Sequence, residues 1–447
     1  MDRKKVNDIQ LKGFPRDISL WIILAVCLVL GHLSNNNLIL SAVLIVIVGC
    51  FILINIDKKI NLLFFLIPWT YILRSEPGTR TIFSYLTVGL LFAISYKSKL
   101  SFNLKKISYI TMLIILVLFQ KLIIGRTISF DEISLILPLT TLSLIKGKWY
   151  NLFKWDEASL AFIFGLFLSI IAGLILYKAP HMVDYFRLNY AVKGQGVGLR
   201  FSGVHMDPNG FGAQAIFGCS LGIILTNQTQ IRFKKWFNKV LNIMVLFIFI
   251  AGFFSGSKAY FFVSIVMLIL YIVLLSYKKG VYSGGKFIFI IGLIIIVGYV
   301  LGWWKPLITR YTARFMNADN LDALSSGRNV ILKMYFKMFT IYPWVIIFGT
   351  SLDVVGLHSA AHNTLVQSVT RLGSIGFLII ILLLKETYKI INNNTIDNRD
   401  RDSAWIRLMP LLMYLLMSLS LDLLFKLEFL YIVFLGVFIA AWFKPLK

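Results

Sequence analysis

The chain reads as an all-α polytopic membrane protein with about twelve to fourteen transmembrane helices. Three observations predict this. Of its 447 residues, 58% are hydrophobic and only 15% are charged, whereas a soluble chain carries about a quarter charged residues. The apolar residues come in repeated runs long enough to cross a bilayer. Those runs do not alternate between apolar and polar residues, as the strands of a membrane β-barrel would.

Taken in order, the spanning segments fall at roughly 18–33, 38–56, 60–73, 81–96, 107–125, 130–145, 158–177, 208–226, 240–254, 259–277, 287–303, 363–384, 408–422 and 428–443. The start, "MDRKKVNDIQLKGFPRD", is charged and runs into a full spanning segment, so no cleavable leader is expected. No soluble domain stands out, and residues 1–447 are read as a single integral membrane domain. Cys27, Cys50 and Cys219 all lie within apolar runs and lack metal-site spacing, so they read as packing residues. No metal site and no cofactor are expected.

The net charge is +25. In a chain of this class the excess of Lys and Arg belongs to the cytoplasmic loops, and no nucleic-acid partner is expected. Across the short loops, Lys and Arg favour the side that holds the N-terminus. Both termini are therefore placed in the cytoplasm. That topology puts the loop 178–207, the long loop 304–362 and the turn "SGSKA" (255–259) on the outer face. The inner loops are basic and plain, so any chemistry is expected outside.

Four outer stretches hold the candidate residues. In "LRFSGVHMDPNGFG" (199–212), Asp207 and Pro208 read as the cap and first residue of a helix. The small residues that follow, with Gly218 and Gly222 spaced as GxxxG, read as a packing face. Neither role accounts for Arg200, which precedes a positive helix end suited to phosphate oxygens. Asn209 is a candidate contact, and His205 reads as a loop residue. The glycines of "KGQGVG" follow no strand and read as a flexible loop.

In "HSAAHNTLVQSVTRLGSIG" (358–376), Asn363, Gln367 and Arg371 recur at i, i+4 and i+8, a polar stripe that should face the bundle interior or a wet cavity. His358 and His362 share the spacing of a zinc pair but lack the Glu of HExxH, so a metal role is not expected. "SSGRNVILKMYFKMFTIYPWVIIFG" (325–349) reads as an amphipathic helix on the outer surface, led by Arg328 and ending before Pro343. Just upstream, Arg310 and Arg314 lie on one helical face; a solvated face is the default, and Arg314 is kept as a substrate-binding candidate. "SGSK" (255–258) matches the S-x-x-K of penicillin-binding proteins, but the SDN and KTG elements are missing. Lys258 remains a usable phosphate contact at a helix end.

Together these stretches resemble the O-antigen ligase and polymerase family of bacterial envelope glycosyltransferases. "RFSGVHMDPNGFG" is similar to its Arg-x-x-Gly…(Asp/Asn)-Pro-Asn element, and "SGSKA" to its Ser-(Arg/Lys) turn. "SGRNVILKMYFKMFTIYPWVIIFG" is similar to its Arg-led amphipathic helix. "HNTLVQSVTRLGSIG" fits H-(N/S/Q)-x9-G-x-x-G, with His362, Asn363, Gly373 and Gly376. The matches run in family order from Arg200 to Gly376.

The resemblance implies a GT-C-like, metal-independent glycosyltransferase of the bacterial cytoplasmic (inner) membrane with its active site on the outer face. The reaction implied moves a glycan from undecaprenyl diphosphate to an acceptor hydroxyl. Arg200, Lys258 and Arg328 would supply cations to the departing diphosphate. His362 would be the general base. Position 258 holds Lys where many relatives have Arg, so a bidentate phosphate contact is not expected there. Asn209, Asn363, Gln367, Arg371 and Arg314 complete the diphosphate and glycan contacts expected.

The partners implied are the undecaprenyl-diphosphate-linked oligosaccharide and membrane lipid, with a chain-length regulator left open. A polysaccharide polymerase, making O-antigen, capsule or exopolysaccharide, is the favoured reading. An O-antigen ligase acting on lipid A-core is the alternative. A polysaccharide flippase is the third, disfavoured because the polar residues gather on outer loops and no internal repeat is seen.

The topology makes a direct prediction. In a cysteine-free background, an impermeant thiol reagent added to intact cells should label cysteines placed in 178–207 and 304–362. A cysteine at Asn394 should stay unlabelled until the membrane is opened. Labelling at Asn394 from the medium would invert the topology.

Overall fold

The computed structural model describes residues 14–75, 80–97, 103–124, 130–144, 154–182, 200–205, 207–227, 235–302, 304–316, 325, 327–350, 357, 360–394 and 406–441. Among the described residues all regular structure is helical. In chain order the helices are α1 (Phe14–Leu33), α2 (Asn37–Leu53), α3 (Ile56–Leu66), α4 (Ile82–Lys97), α5 (Leu104–Ile124), α6 (Phe130–Leu144), α7 (Trp155–Leu176), α8 (Pro208–Asn227) and α9 (Lys235–Phe254). They continue as α10 (Lys258–Lys279), α11 (Val281–Val300), α12 (Lys305–Met316), α13 (Arg328–Ile341), α14 (Trp344–Phe348), α15 (Thr364–Asn394), α16 (Met409–Ser418) and α17 (Leu427–Ala441). Seven of these are long and apolar enough to cross a bilayer, and six shorter apolar helices accompany them. The chain is a helical polytopic membrane protein.

Contacts group the chain into two compact units. The first comprises Met1–Leu86, Lys154–Leu307 and Asp400–Met413. At its centre is α8, whose apolar window is 89% buried, against 12% for α11. The small residues of α8 explain its place. A side chain at Gly218 would strike Leu166 of α7, and one at Gly222 would strike Val245 of α9. Close approach of this kind is what small residues permit in a membrane. Near 60–73 the structure departs from one continuous span. α3 ends at Leu66 and tightens into a 3-10 turn, Ile67–Trp69. Pro68 has no N–H to continue the α ladder. The turn is fixed by Trp69, whose Nε1–H donates to the Gly165 carbonyl at 3.0 Å.

The second unit comprises Thr87–Phe153, Ile308–Arg399 and Tyr414–Lys447. Its main irregularity is in α15. The helix runs from Thr364 to Asn394, beyond the segment 363–384 expected from hydropathy, and it is broken at Gly373. There φ is 67° and ψ 173°, a conformation open to glycine and strained for other residues. Gly349, with φ 74°, lies against the break, and a Cβ on either glycine would enter the other segment's backbone. The freed backbone groups find partners. Thr350 N–H donates to the Thr370 carbonyl at 2.6 Å. The Gln120 side-chain amide donates to the Phe348 carbonyl and, at 3.2 Å, to that of Arg371.

As its periodicity predicts, α13 is amphipathic and stops before Pro343. Tyr335 and Met338 are buried with Val345, Leu357 and Ala361. Val330, Met334, Phe336 and Ile341 are exposed on its other side.

Replacing Gly373 with alanine should lower the thermal midpoint of the detergent-solubilised protein. The conformation alone costs about 1–3 kcal/mol, before the clash with Ile347. Gly292→Ala is the control, since an added Cβ there meets nothing within 4 Å. Equal midpoints for the two variants would be inconsistent with a broken α15.

Candidate functional site

Two of the four motif stretches meet in the first unit. Arg200 lies between them. Its Nε–H donates to the Ser255 carbonyl at 2.6 Å, and its Nη2 donates to Asn209 Oδ1 at 2.9 Å. Phe201 N–H donates to the Phe254 carbonyl at 3.1 Å, which zips the stretches together. Asp207 caps α8 as expected, its carboxylate taking the Asn209 N–H at 2.9 Å. Asn209 is therefore held on its backbone side by Asp207 and engages Arg200 with its side chain. Tyr177 adds a tie, its hydroxyl lying 3.2 Å from Ser202 Oγ.

His205 is a loop residue, but a buried one. Its ring packs on Tyr71 at 4.3 Å between centroids. Gly210 leaves the space it needs, since a Cβ there would strike the imidazole.

Lys258 is the first residue of α10, behind the capping side chain of Ser257. The turn that delivers it is anchored by Tyr260, which is fully buried. The Tyr260 hydroxyl donates to the Phe249 carbonyl at 2.7 Å, and its ring fills the slot left by Gly252.

The other two stretches meet in the second unit. Arg328 is the first residue of α13, and its N–H donates to the Ser325 carbonyl at 3.3 Å. Tyr335, two turns on, donates its hydroxyl to Gln367 Oε1 at 3.3 Å. The same oxygen accepts the Ala361 N–H at 2.8 Å. His362 follows, exposed and in the left-handed region with φ 50°.

Asn363 does not begin the helical stripe; it caps it. Its Oδ1 accepts from Leu365 N–H at 3.0 Å and Val366 N–H at 3.1 Å. Its amide donates to the Leu419 carbonyl at 2.9 Å. Gln367 and Arg371 do face the interior of the unit. Arg371 lies 3.8 Å from Glu132 and over the Phe425 ring at 4.9 Å. His358 lies outside the described residues. Arg310 and Arg314 lie on α12, and their side chains are outside the described residues.

Three of the candidate cations share one placement. Arg200 bonds to the second residue of α8, Lys258 opens α10, and Arg328 opens α13. A helix N-terminus carries roughly half a positive charge, so a cation there is unfavourable and an anion favourable. Neither α10 nor α13 has an acid in its first turn to offset this. Neutral hydroxyls, those of Ser257 and Ser325, each accept one first-turn N–H of α10 and α13, and a basic side chain beside such a helix end suits phosphate oxygens. Among the described residues no three His, Cys, Asp or Glu side chains gather as a metal site would require.

The sequence reading missed the residues that support this chemistry. Gln120 lies next to Lys121 and Glu132 next to Asp131, near the ends of apolar segments, where polar residues are ordinary and mark nothing by themselves. Asp422 lies in the turn that Asn363 and Thr364 pin, and its charge acts on Tyr335. Tyr335 itself reads in sequence as one more aromatic on an amphipathic face.

The Arg371 contacts predict a stability effect. The Arg371 and Glu132 side chains are 15% and 2% exposed. Breaking a buried pair from one side costs roughly 3–5 kcal/mol, because the other charge is left uncompensated. Arg371→Met should therefore lower the thermal midpoint sharply. Adding Glu132→Leu should recover part of the loss, and simple additivity in this double-mutant cycle would argue against the pairing. No family model, no curated protein and no solved structure matches the chain.

Proposed function

We propose that the chain is a polysaccharide polymerase of the bacterial cytoplasmic membrane. It transfers a growing glycan from polyprenyl diphosphate to a lipid-linked repeat unit at the outer face. The observation that carries this reading is the placement of Arg200, Lys258 and Arg328 at helix N-termini. A departing diphosphate is the kind of group such sites receive. The seven long and six shorter apolar helices are compatible with the twelve to fourteen crossings of a GT-C-like bundle.

In the reaction, the acceptor hydroxyl oxygen forms a bond to the donor's anomeric carbon. The bond from that carbon to the diphosphate oxygen breaks, and the diphosphate leaves with the electron pair. Each of Arg200, Lys258 and Arg328 is a proposed contact for the charge that develops on it. His362, exposed at the head of α15, takes the hydroxyl proton. The Arg200 guanidinium is already oriented by Ser255 and Asn209, which lowers the reorganisation that binding demands.

Variants made in the source cell and read on a glycan gel, with protein level checked, test this. Arg200→Ala and Arg328→Ala should abolish the polymer ladder. Arg200→Lys should fall below wild type, because the ammonium lacks the guanidinium fork. His362→Asn should lose the ladder, as losing a positioned base typically costs ~10²–10⁴-fold in rate. A normal ladder from His362→Asn would rule out the base assignment. Single-repeat product would support a polymerase, whereas long polymer retained on the carrier would indicate a ligase.

A further inference from the structure

We infer that Gln367 is a positioning residue whose side-chain oxygen, bonded at once to Tyr335 of α13 and to the backbone before His362, sets the direction of the His362 imidazole. This inference rests on the proposed role of His362 as the base. The geometry that carries it is local to one unit. Gln367 is fully buried, one turn into α15. Its Oε1 accepts the Ala361 N–H at 2.8 Å and the Tyr335 hydroxyl at 3.3 Å. The residue on the other side of His362 is fixed as well, because Asn363 caps α15 and reaches the Leu419 carbonyl.

His362 is thus the one residue between two pinned neighbours. Its φ of 50° is uncommon for a side chain with a Cβ and persists only where the surroundings hold it. Releasing Ala361 removes one of those two restraints. The turn is then free to relax to negative φ, which swings the imidazole away. The Tyr335 bond transmits the same restraint to α13, the helix that opens with Arg328.

Size-matched substitutions separate positioning from packing. Gln367→Met keeps the volume and loses the acceptor. Gln367→Glu keeps both volume and acceptor. The full-length protein, carrying histidine labelled with ¹³C at Cε1, is examined by NMR in detergent, with the His362 signal assigned by its loss in His362→Ala. In Gln367→Met the His362 signal should shift while that of His205, in the other unit, stays in place. Polymer yield should fall roughly 10²-fold, the loss expected from a misplacement of about 1 Å. Gln367→Glu, which keeps the acceptor, should hold the His362 signal closer to its wild-type position than Gln367→Met does.

If Gln367→Met does not accumulate, Tyr335→Phe, which removes one of the two bonds that hold the Gln367 oxygen, should shift the His362 signal in the same direction by less, and an unmoved signal there would overturn the inference. A folded Gln367→Met with an unmoved His362 signal and a full ladder would overturn the inference. A moved signal with a full ladder would uphold the restraint on the turn and overturn the general-base reading of His362.

Discussion

Inside a bilayer no water is available to a backbone group that leaves its helix. Each such group must find a partner within the protein or cost several kcal/mol. The second unit is organised around this constraint. The break at Gly373 divides α15 and would strand the carbonyls that end its first segment. Two of the remedies come from outside the helix. Thr350 N–H takes the Thr370 carbonyl, and the Gln120 amide takes those of Arg371 and Phe348. A primary amide has two protons, so one side chain can serve both segments. The two glycines then follow, since only backbones without Cβ atoms approach this closely. Gln367 and Arg371 inherit their positions from the result, because both lie on the short segment between the cap at Asn363 and the break.

Electrostatics gives the residues at these helix N-termini their meaning. Cations at helix N-termini are each unfavourable by about 0.3–1 kcal/mol at exposed sites. A fold shaped only by stability would place acids there, as α8 does with Asp207 and α7 does with Asp156 and Glu157. At α10 and α13 the first residue is instead Lys or Arg and no acid follows in the first turn. The local cost is small against total stability, and an anion bound there would offset it. At Arg200 the Ser255 carbonyl and the Asn209 amide oxygen orient the guanidinium.

Much of this was legible in sequence, for identifiable reasons. Helical class follows from long apolar runs, and the start of α8 follows from Asp-Pro. The amphipathic stretch and its end before Pro343 follow from periodicity and from the missing proline N–H. The pairing of the four motif stretches, two in each unit, was not legible, because it depends on contacts such as Arg200 to Ser255, 55 positions apart. Asn363 matched a helical stripe at i, i+4 and i+8, yet the spacing cannot distinguish a cap from a first turn. The break at Gly373 was also hidden. A glycine within a spanning helix is common, and only the opposing Gly349 and the Gln120 amide reveal it as a turn. Tyr335 was hidden for a different reason: one hydroxyl on an apolar face carries no periodic signal.

Tyr335 shows how these constraints combine. Burial raises its pKa, the Arg371 charge lowers it and the Asp422 charge raises it, and burial is the largest of the three. The phenol therefore stays protonated at any pH the membrane meets, and a protonated phenol beside an amide oxygen is a donor. Its direction is then fixed, because Gln367 Oε1 already accepts from Ala361 and has a lone pair to spare. The tie from α13 through Gln367 to the His362 turn thus contains no group that titrates near neutrality. The base role proposed for His362 would gain from such a mount, since a change of charge on the imidazole would leave the hydrogen bonds that aim it unaltered.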